Sequence, residues 1–217
     1  MKIGLIGATG RLGGLIVDKA NGIEIKAFVR NPHYSHEHVE VVNKSLFDIT
    51  KEDIDDIDVL ISAFGSGFSV EPTINYEAFL KYIELLNHTN KKLIVIGGAG
   101  LLYQDDTQTL HEYESEGHPE KLKAISHQIS LGVEALKKET SFDWTVVCPS
   151  RFFDYEHQSQ SYMIDESEQI VYNQEGKSYS TYSDVADVML KLTSESRYNH
   201  QVITVLSTGG MSNEFSR

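Results

Sequence analysis

Ile3-Gly-Leu-Ile-Gly-Ala-Thr-Gly-Arg-Leu-Gly13 is an apolar strand that runs into a glycine-rich turn and then into an amphipathic helix carrying Leu12, Leu15, Ile16 and Ala20. The three turn glycines have separate tasks. Gly7 permits the tight turn, Gly10 lets backbone approach a pyrophosphate, and Gly13 lets the helix pack close to the strand. The helix then directs its first N–H groups at the phosphates. Placed after a strand and before a helix, the spacing predicts a dinucleotide site in which Gly7, Thr9, Gly10, Arg11, Leu12 and Gly13 touch the cofactor.

Outward from that turn, short apolar runs alternate with helical patterns, which is the signature of βαβ units. Strands are expected at 2–6, 24–29, 39–43, 59–62, 92–97, 144–148 and 202–206, and helices at 11–21, 71–90, 121–140 and 182–193. The fold class that follows is α/β. It is a Rossmann-type, doubly wound parallel sheet of order 3-2-1-4-5-6, with room for a seventh strand. The 217 residues are read as a single domain, 1–217, with 151–181 as a substrate-side insertion. A hairpin is expected there, 169–172 with 177–180, joined by Asn-Gln-Glu-Gly. The acidic stretch 102–119 leaves the carboxyl edge of the sheet and reads either as a lid or as a surface loop. The tail 211–217 reads as a frayed end.

The formal charge of −13 excludes nucleic acid and an anionic membrane surface as expected partners, because both require a basic face. One cysteine, Cys148, permits no internal disulfide, and no apolar run is long enough to span a bilayer. A cytoplasmic monomer or homodimer acting on a small molecule is the expectation. His33, His36 and His38 match no standard zinc spacing, so no metal site is expected. His111, His118 and His127 lie around the 102–119 loop, where one could donate a proton.

The second strand ends in Val29-Arg30-Asn31-Pro32. An acidic residue near this point would bind ribose hydroxyls and repel a 2′-phosphate, whereas Arg30 pairs with a phosphate. The cofactor expected is therefore NADP (NADPH), with NAD as the alternative. Asp48 is placed either to touch the adenine edge or to begin a short helix. Small residues at two successive strand ends, Ala63-Phe64-Gly65 and Gly97-Gly98, read as backbone clearing a ligand.

The segments Gly7-Ala-Thr-Gly-Arg-Leu-Gly13, Val29-Arg-Asn-Pro32, Gly97-Gly-Ala-Gly100 and Trp144-Thr-Val-Val-Cys-Pro-Ser-Arg-Phe-Phe153 resemble the atypical short-chain dehydrogenases. Within these the chain is similar to the bacterial NADH–flavin reductase group and to NmrA-like and biliverdin-reductase-B-like proteins. The likeness continues through Gly176-Lys-Ser-Tyr-Ser-Thr-Tyr-Ser-Asp-Val-Ala186, and Arg151 stands where the resemblance leads us to expect a small residue. The resemblance implies an NAD(P)-binding fold with the nicotinamide near Pro149, Ser150 and Phe152, and Phe153 is a further expected cofactor contact. The resemblance also implies reduction of a flavin or quinone.

Most short-chain dehydrogenases use a tyrosine with a lysine four residues on. Here that position is Thr107 after Tyr103, Gly117 after Tyr113 and Ser159 after Tyr155, and the other tyrosines fail too. Alcohol–ketone chemistry through that dyad is not expected. Direct hydride transfer to a planar acceptor needs only stacking and orientation. Ser150 and Phe152 are the expected catalytic pair, with Phe64, Phe153 and Tyr155 as further aromatic walls or as plain packing. A redox-sensing NADP(H)-binding protein without turnover is the alternative.

Overall fold

The computed structural model describes residues 1–67, 70–159 and 161–209, so the tail 211–217 lies outside the described residues. The strands are β1 (Lys2–Ile6), β2 (Glu24–Val29), β3 (Val39–Asn43), β4 (Val59–Ser62), β5 (Lys92–Ile96), β6 (Asp143–Pro149), β7 (Phe152–Asp154), β8 (Tyr162–Asp165), β9 (Tyr179–Thr181) and β10 (Gln201–Ser207). The helices are α1 (Arg11–Lys19), α2 (Ile74–Leu86), α3 (Glu120–Leu136) and α4 (Tyr182–Lys191).

Eight strands form one sheet of order β3-β2-β1-β4-β5-β6-β10-β8. All neighbours are parallel except β8, which runs antiparallel to β10 at the edge. The expected order 3-2-1-4-5-6 is observed. Strands β1, β4, β5 and β6 read as continuous apolar runs because helices cover both of their faces. On one face α2 and α3 pack Phe79, Tyr82, Leu85 and Leu136 against Leu60, Leu93 and Trp144. On the other, α1 and α4 pack Ile16, Val185 and Met189 against Ile3, Leu5 and Ile203. Full burial of each such side chain contributes about 1.5–3 kcal/mol. Lys19 adds a two-oxygen ion pair to Asp187 between α1 and α4, at 3.0 and 2.9 Å.

Apart from α3, which begins one residue early at Glu120, the helix ends fall inside the expected spans, for reasons visible in the backbone. The turn at Glu71 and Pro72 delays α2 to Ile74, through Ile74 N–H to Glu71 O at 3.2 Å. The helix stops at Leu86, after which His88 adopts a positive φ of 60° and the Thr89 hydroxyl donates to Leu86 O at 2.7 Å.

The hairpin expected at 169–172 and 177–180 does not form. Its turn exists, with Asn173 Oδ1 accepting from the N–H groups of Glu175 and Lys177, both at 3.0 Å. The flanks, however, find other partners. Ile170 N–H donates to Tyr103 O at 2.9 Å, and β9 pairs parallel with β7, Phe153 opposite Ser180. Phe152 N–H donating to Ser178 O at 3.0 Å extends the same attachment. Long-range pairing has overridden a local turn signal. The 102–119 stretch is tied to the same region. Glu112 is buried and accepts from Gln104 and from Arg151, the latter at 2.5 Å, while the Arg151 fork also donates to the Tyr172 hydroxyl at 2.9 Å.

Candidate functional site

The sheet reverses direction of winding between β1 and β4, and the glycine turn sits at that switch point, where open α/β sheets bind ligands. Gly7 has φ of +86°, and a Cβ there would lie 2.6 Å from Ala63 O. A Cβ on Gly13 would lie 2.0 Å from Gly7 O, so α1 starts closer to the strand than any side chain allows. Gly10 caps α1 without a side-chain hydrogen bond, and its first turn carries no acid. The first N–H groups of α1 therefore have no intrahelical acceptor and no carboxylate competing for them. That arrangement fits a phosphate.

Two cavities flank this turn and share Gly10, Ala63, Phe64 and Gly65. The first, about 250 Å³, is lined by Gly7, Thr9, Phe28, Arg30 and Lys44. It adjoins a hollow of about 400 Å³ walled by Arg30, Asn43, Lys44, Ser45 and Asp48. The second, about 480 Å³, is walled by Arg11, Leu12, Gly97, Ile125, Phe153 and Tyr182, with Ser66 and Asn75 at one side. Arg11 is the one charged residue among its described lining residues.

The aromatic wall of the second cavity is built by the 151–181 segment and the start of α4. Phe153 stacks on Tyr182 with ring centroids 3.7 Å apart and planes within 7°, and Tyr155 meets Tyr182 edge-on. The Arg11 guanidinium lies 5.1 Å from the Tyr155 ring centre, on the side of the turn where Tyr182 stands. Burial raises the Tyr182 phenol above its ordinary value, and Arg11 opposes that rise. Arg11 thus points to the aromatic side of the turn, away from Arg30.

The expected site residues divide accordingly. Gly7, Thr9, Gly10, Arg30, Ala63, Phe64 and Gly65 line the first cavity, and Arg11, Leu12, Gly97 and Phe153 line the second. Ser150 is not brought into either. It is 1% exposed, its hydroxyl donates to Val205 O at 2.9 Å, and its N–H donates to Ser180 Oγ at 2.7 Å, so it fastens β6 to β10 and β9. Phe152 is also displaced. Alternation along β7 sends it to the opposite face from Phe153, stacked on Tyr179 at 5.9 Å. Pro149 is buried in β6, opposite Val205. Asp48 shares the hollow with Arg30 and ends a short 3-10 turn, Leu46–Asp48, with its carboxylate accepting from Ser45 Oγ at 2.5 Å.

The glycines after β5 serve different ends. A Cβ on Gly97 would meet Cys148 Sγ at 2.8 Å, so Gly97 makes room for the core as well as bordering the cavity. A Cβ on Gly98 would meet nothing within 4 Å. Cys148 itself is fully buried, and burial pushes its thiol up to about 12. Its chemistry is that of an inert core residue. His118 lies 3.3 Å from Ser126 Oγ, and burial lowers its ring below the usual histidine value.

Among the lining residues not read from the sequence are three polar ones, Lys44, Asn75 and Tyr182. Lys44 follows β3 in the same way that Arg30 follows β2, which is a signal that could have been used. Tyr182 lies in a quoted motif, but nothing in the string shows that it faces the glycine turn. Asn75 carries no local signal.

The model of a family described as NAD(P)H-binding matches residues 7–196. The uncharacterised protein YwnB of Bacillus subtilis (strain 168) is 30% identical over 211 residues, covering 95% of this chain and 99% of that one. A crystal structure from Streptococcus pneumoniae, named as a candidate NADH-flavin reductase, superposes with a TM-score of 0.89 at 27% identity, covering 96% of this chain and all of the other. A Bacillus halodurans protein named as a candidate NAD-dependent epimerase/dehydratase shares the fold, at 21% identity and a TM-score of 0.75, with 96% of each chain covered.

Proposed function

The chain belongs to the NAD(P)H-binding family, and we propose that it is an NADPH-preferring oxidoreductase that reduces a flavin, quinone or similar planar acceptor by direct hydride transfer. The observation that carries this reading is the pair of adjacent cavities that share the glycine turn, cationic on one side of it and aromatic on the other. When bound, the nicotinamide supplies the hydride. The chain's own part is to bind, orient and keep water out.

In this reading the first N–H groups of α1 hold the pyrophosphate, and Arg30 with Lys44 faces a 2′-phosphate. Lys44 is engaged by Asp53 at 2.6 Å, so Arg30 is the less committed cation of the two. The stacked Phe153–Tyr182 pair presents a flat apolar surface to a planar ring. Leu122, Ile125 and Ile129 on α3 close the opposite wall against water. The name of the Streptococcus pneumoniae relative agrees with a flavin acceptor.

The test is steady-state oxidation of NADPH, with and without FMN or a soluble quinone, in wild-type protein and in Phe153→Ala. Acceptor-dependent turnover that falls in the variant supports the reductase. Absence of turnover in protein saturated with NADPH leaves the second reading, a non-catalytic redox sensor. That reading is favoured by the commitment of Ser150 to structure.

A further inference from the structure

Asn75 is the second residue of α2 and borders the second cavity, yet it is only 4% exposed. Its side-chain nitrogen donates twice, to Pro72 O at 2.9 Å and to Ser66 Oγ at 3.0 Å. A backbone carbonyl can only accept, so the amide cannot be turned over: nitrogen faces Pro72, and both of its hydrogens are spent. Ser66 agrees, since its own hydroxyl donates onward to Gly67 O at 3.2 Å and leaves a lone pair for Asn75. The carboxamide oxygen Oδ1 accepts no hydrogen bond from any described residue, and it is not sealed into the core. It is a fixed acceptor on a residue that lines the cavity, its amide held by two anchors. With the nitrogen pinned and the oxygen accessible, whatever binds against Oδ1 is selected by its hydrogen-bonding chemistry.

The occupant must donate. A phosphate or carboxylate offers only acceptor oxygens and would be repelled. Along a dinucleotide the order is phosphate, ribose, nicotinamide. The phosphates belong to the start of α1 at Gly10, and the flat ring belongs to Phe153 and Tyr182, all lining this same cavity. The part between them is a ribose, whose hydroxyls donate. Resting on the cofactor reading above, we propose that Asn75 is a positioning residue whose Oδ1 accepts a hydrogen bond from a hydroxyl of the nicotinamide-side ribose, setting how far the ring reaches along the aromatic wall.

The experiment titrates three probes into wild-type protein and Asn75→Ala: NADP⁺, 2′-phospho-ADP-ribose, which keeps the ribose and lacks the nicotinamide, and 2′,5′-ADP, which lacks both. If wild-type protein favours the forms without the 2′-phosphate, NAD⁺, ADP-ribose and ADP replace them. Loss of the hydrogen bond should weaken the first two probes equally, by roughly tenfold, and leave the third within about twofold. Equal weakening of all three would show that Asn75 merely supports the loop, and would overturn the proposal. So would no weakening at all. Weakening of the full dinucleotide alone would assign the oxygen to the nicotinamide carboxamide instead and overturn the ribose contact. Failure of wild-type protein to bind any probe would refute the cofactor reading itself, a result distinct from a variant that binds like wild type. Asn75→Leu, which fills the volume without supplying an oxygen, gives the same pattern should Asn75→Ala melt below the assay temperature.

Discussion

Gly13 and Gly14 are adjacent in α1, and alanine at the two positions should act with opposite sign. Alanine is favoured over glycine within a helix by about 0.8–1 kcal/mol. At Gly14 nothing opposes that gain, because the nearest atom to an added Cβ is Ala8 O at 4.0 Å. At Gly13 the same carbon would sit 2.0 Å from Gly7 O, 2.6 Å from Gly7 C and 2.8 Å from Ala8 Cα, all of them backbone. Relief to an ordinary contact of about 3.4 Å requires α1 to move off the turn by more than an ångström. Overpacking of that kind costs about 1–3 kcal/mol or more, enough to outweigh the helix gain. For a chain of this size each kcal/mol shifts the melting midpoint by about 2–4 °C. Urea and thermal unfolding of the two variants should show Gly14→Ala slightly above wild type and Gly13→Ala several degrees below. Gly13→Ala should also lose dinucleotide affinity, because the first N–H groups of α1 move with the helix. A Gly13→Ala protein as stable as wild type and binding normally would refute the close-approach argument.

Arg30→Glu should weaken NADPH by at least about tenfold and barely affect NADH, measured by fluorescence titration; equal losses would remove the 2′-phosphate assignment. Phe153→Ala should lower acceptor-dependent turnover far more than Phe152→Ala, since Phe153 lines the cavity and Phe152 stacks on Tyr179 away from it. Cys148 predicts an alkaline loss of stability. With its thiol raised from 9.0 to about 12 by burial, the unfolded chain releases a proton above pH 9 that the native state retains, so stability falls as pH rises through that window. At pH 10 the loss is about 1.4 kcal/mol. Urea midpoints at pH 8 and pH 10 should drop more for wild type than for Cys148→Ala. Arg151→Leu removes the cation facing buried Glu112, and limited proteolysis should then cut within 102–119 severalfold faster while the sheet core stays protected.

The seven parallel strands of the main sheet and the glycine turn were legible in the sequence because each is a local pattern; their order followed from the winding rule of such sheets, and β7 and the antiparallel edge strand β8 were not read. An apolar run covered on both faces, a turn that tolerates only glycine and a helix stripe are all local patterns. The glycine turn and Arg30 were therefore read from the string, and the structure places them around one cavity. The sequence could not decide which of Ser150, Phe152 and Phe153 faces the cleft. That choice rests on the attachment of β7 to β9, contacts between residues more than twenty positions apart. The same attachment replaced the expected hairpin and gave Arg151 its buried partner, Glu112, across the fold. Asn75 is the extreme case. A lone asparagine in a helix says nothing of its role until the tertiary structure shows both hydrogens of its nitrogen already spent and its oxygen without a donor among the described residues. Hydrogen-bond satisfaction is counted in space, and only the folded chain supplies the positions to be counted.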